Sequence, residues 1–174
     1  MVRDHCDRIE VVGSIRRKRP VIHDIDVVAQ PIDRKVPRQS WFGSVWETIH
    51  SLHAEIDTLI VNGILEKRVK SDGKTVFGPT IMMMEFKGVP LDLYVATTET
   101  WGGLLLVRTG SVEHNVVMTS RAKANGWILR GDGTGVWNSR EEGKGVRLDD
   151  GTERGIFKVL GVPYREPPER EVPK

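Results

Sequence analysis

A chain of 174 residues fits one compact unit or two small lobes around a real hydrophobic core, and it is too short for two large domains. Its 39% apolar and 29% charged residues exclude disordered and collagenous classes, and a net charge of +2 permits a polyanionic partner without demanding one. No apolar run approaches the roughly 20 residues that span a bilayer, and the charged start Met1-Val2-Arg3-Asp4-His5 is no signal peptide, so an intracellular, cytoplasmic chain without membrane contact is expected. Residues 8–12 and 23–30 are short, rich in β-branched side chains and bounded by turn formers or Pro31, and both read as strands. Between them lie Gly13-Ser14 and a basic loop, Arg16-Arg17-Lys18-Arg19. From 39 to 55, Trp41, Val45, Ile49 and Leu52 recur at helical spacing behind Pro37, which predicts a helix with one buried face.

Further along, 66–70, 80–87 and 90–96 read as strands, with turns at Ser71-Asp72-Gly73-Lys74 and Lys87-Gly88. Composition shifts over 97–103, which marks a border between two lobes. Ser111 is an N-cap for a helix over 112–125 whose apolar side carries Val112, Val116 and Ala122, and Gly126 stops it. Short strands near 127–130 and 135–138 flank Gly131-Asp132-Gly133, and a last helix runs from a Thr152 cap to Leu160 before Gly161 and Pro163. The single cysteine, Cys6, can form no internal disulfide and lacks the Cys/His company of a zinc site.

The chemistry resides in three aspartates. In a strand, residues two apart point the same way, so Asp24 and Asp26 share a face with roughly 7 Å between them. Bare carboxylates that close repel each other, and a hard divalent cation relieves the repulsion. Asp92 is flanked by apolar residues in a strand-like run, where an unpaired acid is costly to bury. If its strand lies beside 23–30, the three acids converge and can hold magnesium through oxygen ligands, the arrangement that two-metal phosphoryl transfer requires. Gly13-Ser14-Ile15-Arg16-Arg17 adds a close-approach glycine, a hydroxyl and a bidentate fork suited to phosphate oxygens. Taken singly, each feature is an ordinary turn, a surface pair or a solvated basic face.

Gly13-Ser14-x-Arg16-Arg17, six residues, then Asp24-x-Asp26 resembles the nucleotidyltransferase signature of DNA polymerase beta-like (family X) enzymes. The second lobe makes the match more specific: Trp101-Gly102-Gly103, then Thr109-Gly110-Ser111, Asn115, Met118, Ala122 and Gly126-Trp127 look like that family's thumb. The ending, through Pro167-Pro168-Glu169-Arg170, is also similar to the family's C-terminus. The resemblance implies an α+β fold, with a nucleotidyltransferase palm of mixed β-sheet and packed helices over 1–100 and a small α+β thumb over 101–174.

It also implies a function: template-directed DNA polymerase activity in short-gap repair, adding nucleotides to a primer 3′-hydroxyl. Two magnesium ions, or manganese in their place, would be held by Asp24, Asp26 and Asp92, and gapped or primer-template DNA and a nucleoside triphosphate would be the partners of a monomer. Gly13, Ser14, Arg17, Arg108, Gly110, Ser111 and Asn115 would bind the nucleotide. Within that set, Ser14 and Arg17 would take the β- and γ-phosphates, Gly110 the sugar and Asn115 the base edge. A cis Gly110-Ser111 peptide is implied, and Met118, Thr119, Arg121 and Lys123 would face DNA.

Some positions depart from the family pattern. Gly13 lies twelve residues from the start, which leads to the expectation of no lyase activity. Val107 and Arg108 stand where aromatics are frequent, Thr119 replaces a basic residue, and Pro90 takes a place often held by arginine. Two other readings stay open. One is a nucleotidyltransferase acting on an RNA end, a protein or a small molecule, which usually lacks Thr-Gly-Ser. The other is a non-catalytic binder using Arg16, Arg17, Arg121 and Lys123 on phosphates, which gains nothing from a cluster of acids.

Overall fold

The computed structural model describes residues 1–41, 43–139, 141 and 144–171. The chain is α+β, built on a five-stranded mixed sheet in the order β1-β2-β7-β6-β5: β1 Cys6–Val11, β2 Ile25–Pro31, β5 Glu66–Lys67, β6 Ile81–Phe86 and β7 Val89–Val95. β2 and β7 run parallel, whereas β1–β2, β5–β6 and β6–β7 are antiparallel. Alternation along the strands then gives each face its own task. Val27, Ala29, Met82, Met84 and Leu93 line one face beneath helix α2, Ser51–Val61, which contributes Leu52, Ile56 and Leu59. On the other face Val28, Tyr94 and Ala96 pack with Val12 against Leu104 and Leu105 of helix α3, Trp101–Thr109.

A second core follows in the chain. Helix α4, Val112–Ala124, the hairpin of β8 Ile128–Arg130 and β9 Gly135–Trp137, and helix α5, Glu153–Val159, enclose Met118, Ala122, Leu129, Val136, Ile156, Phe157 and Leu160. Leu106 of α3 belongs to this core although its neighbour Leu105 belongs to the sheet, so α3 is buried on two sides. The Ser111 and Thr152 caps form as expected, their side chains accepting from the backbone N–H of His114 and Gly155. None of the helices among the described residues is long and apolar enough to cross a membrane.

Two expectations are corrected. The segment 39–55 is no helix: β3 Asp33–Ser40 and β4 Gly43–His50 form an antiparallel two-stranded ribbon, and α2 begins only at Ser51. β-branched residues in β4 and Gly43 with φ +114° favour the ribbon, and Trp41 and Val45, assigned to a buried face, are exposed. Phe42 lies outside the described residues. Helix α3 starts within 97–103, and its surrounding burial erases the one-sided pattern by which helices are read. On α4, Val112 and Val116 face solvent, and the buried side is His114, Met118 and Ala122.

Gly102 and Gly103 let α3 approach the backbone closely: a Cβ on Gly103 would lie 2.0 Å from the carbonyl oxygen of Gly133. In an exposed helix, Gly→Ala gains roughly 1 kcal/mol. Here the sign should reverse, with Gly103→Ala destabilising by about 1–2 kcal/mol once overpacking is included, measured as a lower urea midpoint at unchanged slope.

Candidate active site

Strand register carries the site. Asp26 of β2 is the direct partner of Asp92 of β7, and both point to the α3 face, where Val28 and Tyr94 continue the same two rows. Asp24 sits just before β2 begins, near enough for its charge to act on Asp26. The three expected carboxylates therefore gather. Burial first, and the charges of Asp24 and Asp92 next, push the Asp26 carboxyl up to about 6, against the lowering influence of Tyr94 and Arg108.

Aromatic and cationic neighbours temper this crowding. The Tyr94 hydroxyl donates to Asp26 Oδ1 at 3.4 Å, and burial with the nearby Asp26 charge raises that phenol to about 12, so it remains a donor at neutral pH. The Arg108 guanidinium stacks over the Tyr94 ring at 4.1 Å. Arg68 Nη2 lies 2.6 Å from Asp92 Oδ1, yet that oxygen has no aligned hydrogen bond, so the contact is ionic rather than directional.

Oxygen donors of this kind suit a hard divalent cation, and their mutual repulsion is the unbalanced charge that a cation relieves. As they stand the side chains are neighbours, not a closed cage: among the described residues no group of three or more His, Cys, Asp or Glu is placed to hold an ion.

The segment before the pair, expected as a loop, is a single helical turn, α1 Gly13–Arg16, shaped by Asp26. Gly13 has φ +61°, and a Cβ there would fall 2.2 Å from Asp26 Oδ2, so glycine is required on both counts. Ser14 Oγ is buried without a protein partner. Arg17, expected at phosphates, instead donates Nη1 to the Thr109 carbonyl and pairs through Nε with Glu171 at 2.6 Å.

Across the cleft, Gly110 has φ +72° and the Gly110-Ser111 peptide is cis. The buried Ser111 hydroxyl donates to the Arg170 carbonyl as well as capping α4, and Asn115 Nδ2 donates to the Val107 carbonyl at 2.8 Å. These two side chains thus shape the α3–α4 turn. Of the residues expected to face DNA, Thr119, Arg121 and Lys123 are exposed on α4, but Met118 is fully buried in the second core and offers a duplex no surface.

Residues 104–171 match the family model for the DNA polymerase beta thumb. DNA polymerase lambda of Rattus norvegicus is 38% identical over 86 residues, a stretch covering 47% of this chain and 15% of that protein's length. A crystal structure of Leishmania infantum polymerase beta, a ternary P/T complex, has the same fold at TM-score 0.66 and 23% identity, over 94% of this chain and 67% of that one. Over 104–171 the chain is thus similar to a polymerase beta thumb, and its fold is that of a polymerase beta.

Sequence reasoning missed Tyr94, Arg68 and a buried ion cluster. Tyr94 was within reach, because it lies two residues beyond Asp92 in a strand and so shares its face. Arg68 carried no local signal, since its approach depends on the pairing of β5 with β6. In the cluster, Glu153 of α5 accepts from Arg16 at 2.9 and 3.0 Å and from the fully buried Arg170 at 2.6 Å. Arg16 also donates to Thr109 Oγ1 at 2.7 Å.

A carboxyl whose pKa rises on folding binds its proton more tightly when folded. Its stabilising contribution is therefore present below the unfolded value near 3.8 and lost as pH climbs through about 6. In chelator, Asp26→Asn should be more stable than the parent at pH 8 and converge with it near pH 4, read as thermal midpoints across that range.

Proposed function

We propose that this chain is the palm, over 1–100, and thumb, over 101–174, of a DNA-directed DNA polymerase. It would extend a primer 3′-hydroxyl with nucleoside triphosphates, in the manner of short-gap repair synthesis. The observation that carries this reading is the in-register pair Asp26–Asp92 on parallel strands, with Asp24 beside it, beneath a helix that leads into the thumb match. The polymerase beta fold and the P/T complex of its Leishmania infantum neighbour support DNA as the partner. A transferase acting on a small molecule has no use for the thumb, and the match over 104–171 favours the polymerase.

Asp24 and Asp26 would hold two magnesium ions, and Asp92 one of them. The ions would supply charge neutralisation at the α-phosphate and lower the pKa of the attacking hydroxyl. A carboxylate oxygen of Asp92 would take or relay the 3′-hydroxyl proton as the O3′–Pα bond forms and the bond from Pα to pyrophosphate breaks. Ser14, whose buried hydroxyl has no protein partner, would donate to a phosphate oxygen. Arg17 would leave Glu171 for the β,γ-phosphates and steady the departing charge. Gly110, without a side chain, would let the sugar approach, while Arg108 on Tyr94 would border it.

Asp92→Asn preserves volume and should lower magnesium-dependent primer extension about 10³-fold, the rate equivalent of several kcal/mol of lost charge stabilisation. Extension at the parental rate on gapped DNA would sink the assignment. The exposed Arg121 and Lys123 give a second check on DNA. Replacing both with Gln should weaken duplex binding and reduce the slope of log K against log salt by about 0.9 for each phosphate that is no longer neutralised. An unchanged slope would assign the duplex to another surface.

A further inference from the structure

Asp26, Asp92 and Met83 form one row across three adjacent strands, since Asp26 pairs with Asp92 and Asp92 with Met83. The next position in that row is Arg68, whose backbone N–H donates to the Met83 carbonyl at 3.0 Å just past the end of β5. Its side chain crosses over Met83 and brings Nη2 to 2.6 Å from Asp92 Oδ1. Neighbouring strands lie about 4.8 Å apart, so the two backbones are roughly 10 Å apart, and the side chains of Arg68 and Asp92 meet between them. Pro90, two residues before Asp92 and on the same face, brings no charge of its own. The cation comes from the sheet edge instead.

We propose that Arg68 is the resting counter-ion of Asp92, holding its carboxylate when no metal is bound and leaving when a divalent cation takes that oxygen. This inference rests on the reading of Asp92 as a metal ligand. Asp92 is 8% exposed, and a buried carboxylate without a counter-charge is costly, so a partner is needed in the metal-free chain. Arg68 is suited to a temporary role. Its side chain is 26% exposed, and its contact with Oδ1 lacks hydrogen-bond alignment. A guanidinium and a divalent cation cannot both occupy the space beside Oδ1, so each binds at the expense of the other. Arg68 is thus a positioning residue that acts through Asp92, setting how much metal the site requires.

The test is manganese binding to the full chain without nucleotide or DNA, followed by the paramagnetic resonance signal of the free ion. Arg68→Gln removes the competing charge and should tighten manganese binding roughly tenfold, while Arg68→Lys, which keeps a cation, should stay near the parent. Parental or weaker binding by Arg68→Gln overturns the counter-ion role. Asp92→Asn separates the two claims: if it binds manganese as the parent does, the metal-ligand reading itself has failed.

A measurement on the unmodified chain avoids dependence on the folding of variants. Arginine labelling by phenylglyoxal, mapped by mass spectrometry, should rise several-fold at Arg68 when manganese is saturating and stay constant at Arg170. Equal labelling of Arg68 with and without the ion overturns the proposal.

Discussion

Glu153 is the point on which the arrangement of the molecule turns. Burial alone would raise its carboxyl, but hydrogen bonds from Arg16 and Arg170 hold it below the usual range and keep it charged. Each of these arginines belongs to a different part of the chain: Arg16 to the helical turn that carries Gly13 and Ser14, and Arg170 to the closing turn after Pro167. Arg16 reaches Thr109 as well, at the end of α3. One carboxylate therefore fixes the phosphate-suited α1, the glycine turn and the C-terminal segment against each other. Swapping such a cluster for well-packed apolar residues is often neutral for stability, whereas removing a single member strands a buried charge. Its value here is geometric, because it sets where Ser14 and Gly110 stand relative to the carboxylates.

The sheet solves a second electrostatic problem. Parallel pairing of β2 with β7 forces Asp26 and Asp92 side by side, a placement that like charges resist. Relief comes from the periphery: Tyr94 donates to Asp26, Arg108 lies over the Tyr94 ring, and Arg68 faces Asp92. The opposite face packs Val27, Ala29, Met82, Met84 and Leu93 against α2 and adds its own share of stability. Burial of Leu52, Ile56 and Leu59 is worth on the order of 1.5–3 kcal/mol each.

Much of this was legible in residue order because it follows from short-range rules. Period-two alternation assigned Asp24 and Asp26 to one face, Asp92 joins them only through the pairing of β2 with β7, and the Ser111 and Thr152 caps announced α4 and α5. Failures arose where tertiary context outweighed local pattern. The 39–55 segment satisfies helical spacing, yet its β-branched residues and Gly43 make a ribbon. α3 was hidden because Leu104, Leu105 and Leu106 are all buried, leaving no polar face to read. Arg170, in a run that reads as a charged tail, is fully buried because Glu153, Phe157 and Tyr164 close around it. Met118 lies in a motif associated with DNA but on the inward side of α4, a distinction that spacing from Ser111 alone could not draw.

α3 also has a mechanical meaning. Leu105 and Leu106 are successive residues, yet one is seated among Val12, Val28 and Tyr94 and the other among Met118, Phe157 and Leu160. Any rotation of this helix must drag both hydrophobic cores at once, so it works as a shared axle rather than as a hinge pin. The two cores are therefore coupled through α3, and a shift in one is felt in the other.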